Sequence, residues 1–470
     1  MNHPPNDTIV ALATPPGKGS LACIRISGPQ SFTTMAALLP PGKSIQDFPA
    51  NRLSVIWLQD EKNEKVDQVT LVRYLAPHSY TGEDVVEIFC HGGKIIPGLI
   101  VELLCARGAR QAKPGEFTQR ALLNGKMDLI QAEAVAELVN AESPAYLAGV
   151  VTQLEGAFSK SLANLRQQLL HACALLELGL DFSEEDVEFA DRDLLRQELE
   201  HLDNVLSHLL AGFSRGQACK EGWRVAIIGK PNVGKSSLMN ALLKHDRVIV
   251  SALPGTTRDT IDERVLIHGL PFRLIDTAGI RAHADHLEKI GIERSRRAAR
   301  EAEVILFVSD QSAVADRDDF MLAEECLELQ AAHAAREQGQ LVIIHARNKV
   351  DQTEAPRAFA FEADGVRALK TSALTGEGLE ELERMMVASV TPTPARASEG
   401  IYFINHRQKL CLESARASLS AARTSLTKEL SAEFVVLDLK EVMHQLEALV
   451  GEVTADEVLG EIFANFCIGK

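Results

Sequence analysis

The spacing of apolar positions changes along the chain, and each change marks a part. Between residues 8 and 126 short apolar runs alternate with polar residues and turn formers. Thr8–Ala13 and Ala22–Ile26 are expected as strands on either side of the Pro15-Pro16-Gly17 turn, and Leu53–Leu58, Gln68–Leu75 and Asp84–Phe89 as further strands. A helix is predicted from Ile95 to Ala106, which makes this stretch an α+β domain. From Met127 to about Ala218 the spacing becomes helical, through Leu129, Ala132, Val135 and Leu138, then Leu154, Phe158, Leu162, Leu165, Leu169 and Cys173. The acidic run Asp181–Glu188 reads as a connection, with another helix over about 193–213. These stripes suit the core of a helical bundle. Beyond Glu221 the pattern changes again, to unbroken apolar runs such as Val225–Ile228, Phe272–Ile275 and Leu341–Ile344, each suited to a buried strand. Pro392-Thr-Pro-Ala395 reads as a linker, and helical spacing returns over 404–450 with Leu410, Leu419, Leu437 and Leu446. The expected fold class is therefore multidomain, α/β and α: an N-terminal α+β domain (1–126), and a helical domain in two parts (127–220 and 393–470) interrupted by an inserted module (221–392).

Composition narrows the function classes. The chain has 470 residues, 46% of them hydrophobic, enough for several cores. A net charge of −16 argues against a protein that coats nucleic acid indiscriminately, so any RNA contact must use a local patch. One candidate is the basic run Arg107, Arg110, Lys113, Arg120 and Lys126, opposed only by Glu116; it suits phosphates or a carboxylated ligand, or is a solvated basic face. The eight cysteines form no C-x-x-C pair, which suggests neither a zinc site nor a disulfide framework. Reduced thiols, the absence of a signal peptide and the absence of a membrane-length apolar run together lead us to expect a cytoplasmic protein with no membrane contact.

The chemistry is concentrated in the inserted module. Gly229-Lys-Pro-Asn-Val-Gly-Lys-Ser236 has the spacing of a phosphate-binding loop and lies between a strand-like run and the helix-like Ser237–Leu243. The glycines let successive N–H groups face an anion, Lys235 carries charge to the β- and γ-phosphates, and Ser236 offers a hydroxyl to Mg²⁺. Asp276-Thr-Ala-Gly279 ends one strand; its carboxylate can hold Mg²⁺ through water and Gly279 can offer an N–H to the γ-phosphate. Asn348-Lys-Val-Asp351 ends another, and Asp351 can accept two N–H bonds from a guanine edge, which adenine does not supply. Thr371-Ser372-Ala373 follows a further strand and would cap the base. The four elements, in this order and each at a strand end, imply a Ras-like P-loop GTPase domain.

Hydrolysis needs a group to orient water, and the residue after Gly279 is Ile280, which cannot do so. Glu288 is the best-placed carboxylate of the following segment and Arg281 the best-placed cation, although either would also suit a helix surface. Pro254-Gly-Thr-Thr-Arg-Asp259 has switch character, since a threonine there can reach Mg²⁺ when GTP is bound and release it afterwards. Asn232 could coordinate a monovalent cation beside the phosphates, or simply satisfy loop backbone.

Motifs along the whole chain resemble the tRNA-modification GTPases of the MnmE/TrmE type. They are Asp7-Thr-Ile-Val10, Ala13-Thr-Pro-Pro-Gly17, Arg25-Ile-Ser-Gly28, Tyr80-Thr-Gly-Glu-Asp84, His91-Gly-Gly93, Pro114-Gly-Glu-Phe117, the phosphate loop through Ser237, Gly255-Thr-Thr-Arg-Asp259, Ile290-Gly-Ile-Glu-Arg294 and the terminal Phe466-Cys-Ile-Gly-Lys470. The resemblance implies GTP contacts at Asn232, Val233, Gly234, Lys235, Ser236, Ser237, Ser251, Ala252, Leu253, Pro254, Gly255, Thr256, Thr257, Asp276, Thr277, Ala278, Gly279, Asn348, Lys349, Asp351, Ser372 and Ala373. It implies Mg²⁺ at Ser236 and Thr257, K⁺ at Asn232, Ser251, the Leu253 carbonyl and Thr256, and a catalytic role for Glu288. It further implies a 5,10-methylene- or 5-formyl-tetrahydrofolate on Arg25, Glu87, Lys126 and Lys470. Also implied are a homodimer, a flavin-dependent partner of the MnmG/GidA type, and modification of carbon 5 of the wobble uridine of certain tRNAs. Cys467 matches the cysteine of the family's terminal motif. Leu374 stands where related GTPases often have lysine. The alternative is a ribosome-assembly GTPase of the Era/EngA type, which shares the four nucleotide motifs but would carry an RNA-binding domain in place of residues 1–126.

Overall fold

The computed structural model describes residues 7–181, 192–245, 262–276, 299–335, 341–352, 361, 363, 365–391, 402–428, 430–453, 456–464 and 466–470. The chain forms two compact units, Met1–Asn140 with Val150–Ser207 and Leu410–Lys470, and Ala141–Gly149 with His208–Lys409.

The first unit opens with strands β1 (Ile9–Leu12), β2 (Leu21–Ser27), β3 (Ser54–Gln59), β4 (Lys65–Tyr74), β5 (Val85–His91) and β6 (Arg110–Gln111). They form one sheet in the order β3-β4-β5-β2-β1-β6, antiparallel except for the β1–β6 pair. Strand alternation sorts the faces. Ile24, Ile26, Val69, Leu71, Val86, Ile88 and Cys90 enter a core shared with Met35 of α1 (Ser31–Ala36) and with Ile100 and Leu104 of α2 (Ile96–Ala106). Near β1 the opposite face is covered by a smaller cluster of Ile9, Ala11, Ala112, Phe117 and Tyr80, with Phe117 supplied by α3 (Glu116–Leu123). The apolar period did not announce α1 and α3, which have only six and eight residues.

Two members of the basic run of this domain, Arg110 and Arg120, are consumed by internal ion pairs. Arg120 is fully buried; its guanidinium donates to Asp7 Oδ1 at 2.6 Å, Glu83 Oε1 at 3.1 Å and Glu116 Oε1 at 3.2 Å. Arg110 donates to Asp7 Oδ2 at 2.8 Å and Glu116 Oε1 at 2.6 Å. A buried guanidinium needs carboxylates on several of its donors; Glu116 comes from one turn earlier in α3, and the fold brings Asp7 and Glu83 from distant positions.

After the N-terminal sheet come four helices, α4 (Leu129–Val139), α5 (Pro144–Leu154), α6 (Ala157–Asp181) and α7 (Arg192–Glu221). Asp128 and Gln131 start α4 with a reciprocal capping box. The second unit continues with β7 (Trp223–Ile228), α8 (Lys235–His245), β8 (Asp262–Ile267), β9 (Leu270–Asp276), β10 (Val304–Asp310), α9 (Arg317–Ala335), β11 (Val342–Asn348), β12 (Val366–Lys370) and α10 (Leu379–Val390). Its sheet runs β12-β11-β10-β7-β9-β8, parallel except for the β8–β9 hairpin, which turns at His268-Gly269, both with positive φ. Both faces are covered, one with Leu238 and Leu242 of α8 and Leu382 and Met386 of α10, the other with Ala323 and Cys326 of α9, which explains the unbroken apolar runs.

Helices α11 (His406–Thr427), α12 (Ala432–Val450) and α13 (Asp456–Ala464) complete the chain. In the first unit α12 packs along α6, and Leu459 and Phe463 of α13 join Phe466, Leu129 and Ala132 in one cluster. In the second unit the segment 402–405 lies against α5 and α7. The rings of Phe403 and Tyr146 stack at 5.9 Å, and a Cβ added at Gly149, Gly212 or Gly216 would meet Phe403 or Tyr402.

Candidate functional site

The phosphate-loop residues sit between β7 and α8. Gly229 passes so close to β10 that a Cβ would strike the Val308 carbonyl, and Gly234, at φ +97°, fits against the Asn348 amide. Asn232 takes the left-handed region at φ +63°, which asparagine tolerates. Val233 is buried in the core beneath the loop. Helix α8 begins at Lys235, so Lys235, Ser236 and Ser237 occupy its first turn, where backbone N–H groups favour an anion. Lys235 Nζ donates to the Gly229 and Lys230 carbonyls at 2.8 and 2.6 Å, which keeps the ammonium inside the loop.

Asn348 ties the loops together. Its Nδ2 donates to the Val233 carbonyl at 3.0 Å, and its Oδ1 accepts the Ala373 N–H at 3.1 Å. The side chain is buried, and both ends of its amide are used. Lys349 has φ +65°, strained for a lysine, and Asp310 Oδ2 holds its Nζ at 2.6 Å. Burial would raise the Asp310 carboxyl, but hydrogen bonds from Lys349 and Ser312 outweigh it and hold the group below its ordinary range. Asp351 is exposed, and its Oδ1 accepts the Ser372 hydroxyl at 2.5 Å. The edges of β7, β10, β11 and β12 thus gather Lys235, Asn348, Lys349, Asp351, Ser372 and Ala373 in one place. Asp276 closes β9. Ser251, Ala252, Leu253, Pro254, Gly255, Thr256, Thr257, Thr277, Ala278, Gly279, Arg281 and Glu288 lie outside the described residues.

A second cluster occupies the N-terminal sheet. Arg25 of β2 and Glu87 of β5 are register partners, and Arg25 Nε donates to Glu87 Oε1 at 2.8 Å. The guanidinium lies over the Tyr80 and Phe117 rings at 5.1 and 5.6 Å and donates to the Gly469 carbonyl at 3.2 Å, beside Lys470. Burial pushes the Lys470 ammonium below its ordinary value; Cys467 opposes this and Arg25 adds to it. Cys467 is exposed, and its carbonyl accepts the Gly115 and Lys470 N–H groups. Lys126 Nζ donates to the Pro77 carbonyl at 3.0 Å, and a cavity of about 330 Å³ next to that loop is lined by Tyr74, His78, Ser79, Tyr80, Val85 and Glu87.

Two family models cover most of the chain, one described as the GTP-binding protein TrmE N-terminus over residues 8–126, the other as the MnmE helical domain over residues 129–467. The chain belongs to the MnmE family. A protein of Parabacteroides distasonis named tRNA modification GTPase MnmE is 42% identical over 469 residues, covering 98% of this chain and 100% of that protein. One of the same name from Aquifex aeolicus is 40% identical over 466 residues, covering 99% and 100%. Among solved structures, the G domain of the T. maritima FeoB iron transporter is 27% identical and covers 36% of this chain and 99% of that one, with a TM-score of 0.26.

Within this MnmE-family chain some contributors gave little sign in the sequence. Lys230 of the phosphate loop reaches Asp316 and Asp319 at the start of α9, at 2.8 and 2.7 Å. Asp310, which fixes Lys349, ends β10, which carries none of the four nucleotide motifs. Tyr80, beneath Arg25, belongs to the Tyr80-Thr-Gly-Glu-Asp84 stretch, in which nothing points to a cation over its ring.

Proposed function

We propose that the chain hydrolyses GTP and, with a flavin-dependent partner, modifies carbon 5 of the wobble uridine of certain tRNAs with a tetrahydrofolate one-carbon unit. The observation that carries the GTP reading is the Asn348 bridge between Val233 and Ala373, which brings the phosphate loop and the base-side loop into one site with Asp351 at its open edge. In this reading the module is inserted into the helical domain over about 221–392. Lys235 leaves the loop carbonyls for the phosphates, and Asp351 accepts the guanine N–H groups. Ser236 and Thr257 would hold Mg²⁺, which neutralises phosphate charge when bound. Asn232, Ser251, Leu253 and Thr256 would hold K⁺ where an arginine finger's charge is otherwise needed, and Glu288 orients water. Arg25, Glu87, Lys126 and Lys470 take the folate. The Arg25–Glu87 pair, the adjoining cavity and the nearby Lys470 support this, since a carboxylate can accept from a pterin edge while cations hold carboxylates. A homodimer and a cytoplasmic location complete the proposal; among the described residues no helix is long and apolar enough to cross a membrane.

The test is GTP hydrolysis in KCl against NaCl, with Asn232→Ala alongside. A large potassium stimulation that the variant loses is expected. Equal rates in both salts would remove the K⁺ site.

A further inference from the structure

The two limbs of the phosphate loop are held differently. On the helix side Val233 is buried in the core, and its carbonyl accepts Asn348 Nδ2 at 3.0 Å. On the strand side Pro231 and Asn232 are exposed, and Asn232 takes a positive φ. Among the described residues this limb is anchored by a side chain that the motif's spacing leaves free to vary. Lys230 Nζ pairs with Asp319 Oδ2 at 2.7 Å and with Asp316 Oδ2 at 2.8 Å. Burial lowers the Lys230 ammonium, but hydrogen bonds to the two carboxylates outweigh it and hold the group above its ordinary value.

The receiving carboxylates are themselves fixed. Asp316 Oδ1 accepts the Asp319 N–H at 3.3 Å and Asp319 Oδ2 accepts the Asp316 N–H at 3.1 Å, a reciprocal cap at the start of α9. The Asp319 side chain is only 7% exposed, and a carboxylate so enclosed needs a cation, which Lys230 supplies. The segment that carries both aspartates starts on the base side of the site. Asp310 holds Lys349 there, and the Gln311 N–H donates to the Asn348 carbonyl at 2.8 Å. Residues 310–319 thus touch the base-recognition motif at one end and the phosphate loop at the other. Lys230 also offers its carbonyl to Lys235 Nζ at 2.6 Å, so the ion pair fixes a residue that holds the phosphate-binding ammonium.

Resting on the GTP reading, we infer that Lys230 is a positioning residue for hydrolysis: its ion pair with Asp319 and Asp316 fixes the exposed limb of the phosphate loop against α9. Phosphoryl transfer depends on positioning and on charge placed in advance, so slack in this limb slows the reaction more than it weakens binding. The diphosphate rests on the start of α8, which Val233 and Asn348 hold without help from Lys230.

The experiment is steady-state GTP hydrolysis by the full-length protein in KCl with Mg²⁺. It compares the wild type with Lys230→Met, Lys230→Arg, Asp319→Asn and the double variant Lys230→Met/Asp319→Asn, with GDP affinity and a thermal melt for each. Lys230→Met should lose about tenfold in kcat with little change in KM, while GDP affinity and melting temperature stay near those of the wild type. Lys230→Arg keeps the charge and several donors and should recover most of the loss. The double variant should be no slower than Lys230→Met alone, because both changes remove the same contact. A wild-type kcat in Lys230→Met overturns the inference. So does a loss of kcat matched by an equal loss of GDP affinity and a lower melting temperature, which would make the pair a part of the general fold. Fully additive losses in the double variant would also overturn it, since the two residues would then act separately. Should Asp319→Asn melt early, the contrast between Lys230→Met and Lys230→Arg still decides. If the wild type hydrolyses no GTP, the GTP reading falls and this inference with it.

Discussion

Single residues carry this molecule's most specific claims, and Arg120 shows how charge is used inside it. The Asp7 and Glu116 carboxyls are raised by burial, but hydrogen bonds from Arg110 and Arg120 outweigh that and hold both below their ordinary values. A lowered carboxyl contributes stability that is fully present above its unfolded value and is lost as the pH falls through its folded one. Arg120→Leu should therefore cost about 3–5 kcal/mol at pH 7, because Glu116 and Glu83 lose a buried partner, and the difference should shrink below about pH 4. Urea unfolding of both proteins at pH 7 and in acid checks this; a difference that does not change with pH would contradict it. At the nucleotide site, Asp351→Asn replaces an acceptor by a mixed donor and acceptor. The variant should lose GTP by roughly tenfold or more and gain affinity for xanthosine triphosphate, read by nucleotide competition.

At the scale of elements, what could be read in advance depended on how local the determinant was. Between β7 and α8 the phosphate loop is one continuous stretch, its glycines required by a close approach and a positive φ, so its spacing alone announced it. Most of the longer strands followed from apolar period, but β10, central in the second sheet, was not among those expected. The arginine cluster was legible only in part: Glu116 stands beside the basic run, whereas Asp7 and Glu83 come from far along the chain, and pairing across such distances leaves no periodic trace. The Asn348 bridge was hidden for a similar reason: the residue was legible as part of a base-recognition motif, while its hold on Val233 is a matter of packing. The same applies to the seat of segment 402–405 on α5 and α7, where Gly149, Gly212 and Gly216 leave room for Tyr402 and Phe403. Gly212→Ala drives a methyl into the Tyr402 carbonyl and should destabilise the second unit by about 1–3 kcal/mol. A lowered melting transition checks this, and an unchanged one would show that α7 can move aside.

For the whole molecule the governing quantity is the charge of −16. A chain so acidic, whose N-terminal basic run is partly consumed by internal ion pairs, should touch few phosphates. The logarithm of its affinity for tRNA should then fall with the logarithm of salt concentration with a slope of about −3 or shallower. Fluorescence anisotropy across a salt series checks this, and a much steeper slope would reveal a cationic surface elsewhere. The Asn348 bridge also bears on turnover. One amide holds the floor of the phosphate loop at one end and the base-side loop at the other, so neither can slacken while the other stays shut. Departure of spent nucleotide should therefore loosen both loops together, through an amide that belongs to the base-recognition motif itself.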